Sequence, residues 1–201
     1  MADITSAMVR EARDRTGASF IDCKKALEES GGDMDKTLDI LKIKGAGKAG
    51  KKVGRETPEG IVTSYIHPGG KIGVMLEINC ETDFVARNEE FENLSKEITM
   101  QIAATGPLYT RREEIPENVL EKEKEIIRAR AKESGKPDKI MDKIIDGGIE
   151  KFYKEVCLLE QEYIREPKTK IQDLVSSVIS KTGENIVVRR FTRFQLGESA
   201  D

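Results

Sequence analysis

Apolar positions over residues 1–45 recur at helical spacing and are punctuated by glycine. Met8, Val9 and Ala12 form a stripe that follows Thr5 or Ser6, either of which can cap a helix, and that stops at Gly17. A second stripe, Phe20, Cys23, Ala26 and Leu27, extends from about Ser19 to Ser30 and ends at Gly31-Gly32. Asp33 then offers an N-cap to a third helix, along which Met34, Leu38 and Leu41 keep to one face. Three helices in so short a stretch make a bundle too small for a deep active site, and docking on a partner is its expected use.

The pattern changes near Gly60. Ile61 to His67 is rich in β-formers and leads into His67-Pro68-Gly69-Gly70, a turn. Ile72, Val74, Leu76, Ile78 and Cys80 then alternate with Gly73, Met75, Glu77 and Asn79, so the two runs predict a hairpin. From Asn88 to Ala104 the helical period returns with Phe91, Leu94, Ile98 and Ile102. Glu117–Glu133 and Pro137–Phe152 read as an antiparallel helical hairpin, about residues 117–152, parted by Ser134-Gly135-Lys136-Pro137. Thr169-x-x-Gln172 has the form of a capping box before Ile171, Leu174, Val175, Val178 and Ile179; Gly183 stops that helix, and Asn185 to Leu196 reads as a last strand. The element order predicts an α+β protein: a three-helix module over 1–45, a linker over 46–59, and an α+β core with antiparallel strands over 60–201.

Charge narrows the possible partners. Lys and Arg number 34 against 37 Asp and Glu, a formal net charge of -3, so no specific nucleic-acid partner is expected. Charged residues make up 35% of the chain, above the ~25% of an average domain, which suits exposed helices around a modest core. No apolar run approaches the ~18–20 residues of a spanning helix, and Met1-Ala2-Asp3-Ile4-Thr5 lacks the character of a signal peptide. A cytoplasmic protein with no membrane partner is therefore expected. Cys23, Cys80 and Cys157 lie far apart, and His67 is the single histidine, too few ligands for a zinc site. Neutral thiols in a reducing compartment are the simpler reading.

Candidate chemistry is sparse. Residues 42–55 carry six basic residues, four glycines and no acid, the composition of a linker that charge repulsion would extend. Within it Gly45-Ala46-Gly47-Lys48-Ala49-Gly50-Lys51 fits G-x-x-x-x-G-K, but Lys52 stands where a phosphate-binding loop needs Ser or Thr, and the segment follows a helix rather than a strand. The linker reading is favoured there, with RNA attraction a lesser alternative. His67 lies in a turn without companions, and no G-x-S-x-G elbow occurs. Neither an enzyme nor a cofactor is expected. Asn79–Asn88 differs, because a strand-to-helix junction presents an acid, Asp83, beside a stiff aromatic, Phe84. Such a loop suits insertion into a partner. In the alternative Phe84 joins the core and Asp83 caps the next helix, and the residues alone leave both open.

Arg15-Thr16-Gly17-Ala18, Asp22-Cys23-Lys24-Lys25-Ala26-Leu27, Gly32-Asp33-Met34 and above all Cys80-Glu81-Thr82-Asp83-Phe84-Val85-Ala86-Arg87 resemble the translation elongation factor Ts family. The resemblance continues through Ser134-Gly135-Lys136-Pro137 and Glu155-Val156-Cys157-Leu158-Leu159-Glu160-Gln161 to Arg193-Phe194-Gln195-Leu196-Gly197-Glu198. It implies a guanine-nucleotide exchange factor for elongation factor Tu, the GTPase that delivers aminoacyl-tRNA, working without covalent chemistry. It also implies that the N-terminal helices are a ubiquitin-associated-like module docking through Arg15, Thr16, Gly17, Ala18, Ser19, Phe20 and Ile21. Thr82, Asp83, Phe84 and Val85 match the loop credited with dislodging Mg2+ from the GTPase. On that pattern Phe84 intrudes between helices of the partner, Asp83 holds the shifted arrangement, and GDP leaves.

The chain departs from the pattern at Ser19-Phe20-Ile21, where many relatives have Gly-Met-Met, and at Gly147-Gly148, where Gly-Arg is common. It has one copy of the strand–turn–strand–helix unit that longer relatives duplicate. The resemblance therefore implies a homodimer, two copies of this chain with two of the GTPase.

Overall fold

Side-chain caps and left-handed glycines set the first helix boundaries. The computed structural model describes residues 4–198. Helix α1 (Ser6–Thr16) starts where the Thr5 hydroxyl accepts the Met8 N–H, and closes on Gly17 at φ 66°. Helix α2 (Phe20–Ser30) is capped by Ser19, which accepts the Asp22 N–H, and helix α3 (Met34–Gly50) by Asp33, which accepts the Lys36 N–H. Val9, Ala12, Cys23, Ala26, Leu27 and Leu41 form their shared core, with Met8 and Met34 at its margin.

Strands β1 (Glu59–Ile66) and β2 (Ile72–Cys80) follow, with the His67 N–H donating to the Ile72 carbonyl across the turn. Val74, Leu76, Ile78 and Cys80 are buried, as their alternation predicts. Gly60 lies so close to β2 that a Cβ there would sit 2.2 Å from the Ile78 carbonyl oxygen, which only glycine avoids. Helix α4 (Asp83–Ala86) is a single turn, and helix α5 (Glu89–Thr105) buries Phe91, Leu94, Ile98 and Ile102. Helices α6 (Glu117–Glu133) and α7 (Met141–Val156) make the expected hairpin, packed through Ala131, Met141, Ile145 and Ile149.

A short antiparallel pair, β3 (Glu162–Tyr163) and β4 (Glu166–Lys170), precedes helix α8 (Ile171–Thr182) and strand β5 (Ile186–Gln195). The main sheet has the order β1-β2-β5. Leu196 donates to the Lys71 carbonyl at one end of β5, and Asn185 donates to the Glu81 carboxylate at the other, so β5 runs antiparallel to β2. The fold class is thus α+β. Two compact units divide it: the described residues up to Thr63 with Leu76–Glu97 and Gln172–Arg189, and Ser64–Met75 with Ile98–Ile171 and the described residues from Arg190.

Three local expectations need correction. Helix α3 does not give way to extended chain after Leu41 but runs to Gly50. The repulsion expected there is offset, because Lys42, Lys44 and Lys48 pair with Asp173, Glu29 and Asp22, and Ser180 donates to the Gly45 carbonyl at 2.9 Å. Phe20, placed on the buried stripe of α2, is 49% exposed. Helical side chains lean toward the N-terminus, so a ring on the first residue projects past the helix end. Thr169 does not start the helix: the Glu162↔Lys170 pairing draws residues 166–170 into β4, and α8 starts at Ile171.

In the second unit Arg112 is an electrostatic hub. Its Nε donates to Glu160 at 2.6 Å, its two terminal nitrogens fork onto Glu150 at 2.9 Å each, and the guanidinium lies 4.4 Å above the Tyr153 ring. Lys170 reaches the other Glu160 oxygen at 3.3 Å. The Arg112 hydrogen bond, followed by that from Lys170, holds the Glu160 carboxyl below the usual carboxylate range despite burial. With the folded pKa below the unfolded one, this stabilisation is complete above about pH 5 and disappears as pH falls through the folded value. The difference in urea midpoint between the wild-type chain and Glu160→Gln should therefore stay constant from pH 7 to about pH 5 and shrink from there toward pH 3, as urea titrations across that range would record.

Candidate functional site

The end of β2 carries the candidate loop. Cys80 is buried, with its thiol against the Thr82 carbonyl at 3.1 Å. Burial, then the negative charge of Glu184, pushes that thiol up to about 11. Thr82 keeps an extended backbone, and its hydroxyl accepts the Val85 N–H, which starts α4. A single turn can bury only one side. Val85 and Ala86 take the inner side at 4% and 6% exposure, and Phe84 is left outward at 76%. Asp83 pairs with Arg87 at 2.8 Å, both on the surface.

Of the two readings that the residues left open, the core placement is therefore wrong. Phe84 is exposed, and Thr82 rather than Asp83 caps the helix, because Val85 and Ala86 already fill the inner face. Thr82, Asp83, Phe84 and Val85 form one compact feature.

Two carboxylates, Glu81 and Glu184, tie the loop down. Glu184 accepts the N–H groups of Glu81 and Thr82 and the Thr82 hydroxyl, while the Glu81 carboxylate accepts the Asn185 N–H at 2.6 Å. Asn185 donates from its carboxamide to the Arg55 carbonyl, and Arg55 pairs with Glu81 at 3.5 Å. Sequence reasoning missed Glu184. It belongs to no motif, sits between a helix stop and a strand start, and is 102 residues from Thr82.

The other candidates, Arg15 to Ile21, occupy the α1–α2 junction. Arg15 pairs with Glu11 at 2.6 Å, and the Thr16 hydroxyl donates to the Ala12 carbonyl and accepts the Ala18 N–H. Gly17 is left-handed, and a Cβ there would meet the Lys181 stem at 2.4 Å. Beyond the Ser19 cap, Phe20 and Ile21 are exposed at 49% and 64%, adjacent apolar groups facing solvent. Asp22 is held below the usual carboxylate range by hydrogen bonds from Lys48 and then Ser19. Residues 45–50 lie inside α3, so their backbone N–H groups serve a helix and do not converge as a phosphate cradle. His67 Nδ1 lies 3.0 Å from the Tyr65 hydroxyl in the hairpin turn. Among the described residues no helix is long and apolar enough to cross a membrane.

Comparison with known proteins gives one consistent result. A family model described as Elongation factor TS matches residues 49–198. Proteins named elongation factor Ts are similar over nearly the whole length. That of Thermodesulfovibrio yellowstonii is 58% identical over 198 residues, covering 98% of each chain. That of a Thermoanaerobacter species is 57% identical over 198 residues, covering 98% of this chain and 97% of the relative. That of Desulforamulus reducens is 55% identical over 201 residues, covering all of this chain and 93% of the relative.

The two faces of α4 predict opposite responses to truncation. Phe84→Ala should leave thermal unfolding nearly unchanged, within about 0.5 kcal/mol, as for other exposed sites. Val85→Ala removes buried methyl groups and should cost roughly 1–3 kcal/mol. Calorimetry on both variants checks the pair.

Proposed function

The chain belongs to the elongation factor Ts family, and from that premise we propose that it is the guanine-nucleotide exchange factor for elongation factor Tu, with α4 as the part that acts. The observation that carries this reading is Phe84, a large ring held outward by a turn whose other side is fixed in the core. Burying such a ring in a partner contributes ~1.5–3 kcal/mol, enough to shift a competing equilibrium by tenfold or more.

Phe84 enters between helices of the GTPase. Asp83 exchanges its Arg87 contact for donors on the partner and holds the displaced helices. The shift moves the GTPase's Mg2+, the phosphates of GDP lose their neutralising charge, and GDP departs. No bond of the nucleotide is made or broken. Linkage demands reciprocity: whatever factor the insertion takes from GDP affinity, bound GDP takes from the affinity for this chain.

Docking falls to the α1–α2 junction, where exposed Phe20 and Ile21 supply apolar contact and Arg15 a charge. A second copy of the chain makes up for the one strand–turn–strand–helix unit by forming a homodimer. Exposed Ile66, Met75 and Phe194 on the strands of the second unit support that reading, since apolar groups in such positions call for cover. The setting is the cytoplasm, where the GTPase works.

Stopped-flow release of fluorescent GDP from elongation factor Tu tests both surfaces. The wild-type chain should accelerate release, and Phe84→Ala should lose at least roughly tenfold of the maximal rate, the equivalent of ~1.4 kcal/mol. An off-rate untouched by wild-type chain at any concentration would overturn the reading. A Phe20→Ala/Ile21→Ala variant should instead raise the concentration needed for half-maximal acceleration, leaving the plateau within about twofold, as lost uniform binding does.

A further inference from the structure

A one-turn helix does not hold itself together, since forming the first turn fixes several dihedrals for a single hydrogen bond. Something outside α4 must set where it begins, and Glu184 is in position to do so. Glu184, between the stop of α8 and the start of β5, reaches the loop with both carboxylate oxygens. Oε2 accepts the Glu81 N–H at 3.1 Å and the Thr82 N–H at 3.0 Å, and Oε1 accepts the Thr82 hydroxyl at 2.7 Å.

The Thr82 oxygen is the junction. It donates to Glu184 and accepts from the Val85 N–H, so its contact with the carboxylate and its cap on α4 use the same rotamer. Bonds to an ionised acceptor are about twice as strong as neutral ones, so the carboxylate dominates that choice. The return bond from Asn185 to Glu81 closes the clamp, and Asn185 itself is buried. Two backbone N–H groups at the strand end are satisfied in the process, leaving the loop no reason to rearrange.

We infer that Glu184 is a positioning residue for nucleotide exchange: through the Thr82 cap it sets the direction in which Phe84 leaves the loop before the partner arrives. This rests on Phe84 being the inserting group. Without Glu184 the ordering of the loop falls due at the moment of insertion and slows that step, while docking through the α1–α2 junction is untouched.

The test measures GDP release from elongation factor Tu with Glu184→Ala, Glu184→Gln, Phe84→Ala and the Glu184→Ala/Phe84→Ala double variant of the full chain. Glu184→Ala should lower the maximal rate roughly tenfold while shifting the half-maximal concentration less than about twofold. Glu184→Gln keeps the side-chain volume and one acceptor oxygen and should fall between; it decides the matter should the alanine variant not fold. In the Phe84→Ala background the Glu184→Ala change should add less than about twofold, because a loop without its ring gains nothing from being aimed. Amide exchange at Thr82 and Val85 should quicken in both Glu184 variants. An unchanged plateau with Glu184→Ala, a loss confined to the half-maximal concentration, or losses that multiply in the double variant would each refute the role. Full activity of Phe84→Ala alone would remove the premise instead, so the two failures are distinguishable.

Discussion

The constraint on which the loop depends is that a single helical turn cannot be both exposed and self-sufficient. Phe84 stands in water, so nothing it touches in the free chain holds it there. Its direction comes entirely from its neighbours: Val85 and Ala86 sunk on the inner face, Thr82 at the cap, and the crossed carboxylates of Glu81 and Glu184 behind. An exposed aromatic is thereby held by buried aliphatics and charge-assisted hydrogen bonds. This division of labour, scaffold inward and contact outward, separates what folds the loop from what the loop does.

The same division is visible at the α1–α2 junction. Thr16, Gly17 and Ser19 spend their polar groups on closing one helix and opening the next, and Phe20 and Ile21 are left over with no cover. Charge also serves the scaffold. Arg112 gathers Glu150, Glu160 and the Tyr153 ring around one guanidinium, and Lys42, Lys44 and Lys48 find carboxylates along α3. Electrostatics thus brace elements in a chain whose apolar content is modest.

Much of this was legible in the sequence wherever the cause is local. Caps at Thr5 or Ser6 and at Asp33, glycine stops at Gly17 and Gly31, and the alternation from Ile72 to Cys80 each act within a few residues, and the elements they predict are present. What was hidden depends on partners far along the chain. The basic stretch after Leu41 reads as extended until Asp173 and Ser180 are known to lie beside it. Thr169 reads as a cap until Glu162 pairs with Lys170. Phe84 was ambiguous because a four-residue helix is too short to show a period, and Glu184 was invisible because nothing near it in sequence advertises its role.

The thiol beneath the loop has a consequence for the chain's tolerance of oxidative stress. With Cys80 raised to about 11, the thiol stays protonated at neutral pH, and peroxides attack the thiolate. A sulfur at the foot of the loop is thus kept inert by burial and the negative charge around it. Translation supported by this factor would not falter through that atom when the cell's reducing supply runs low.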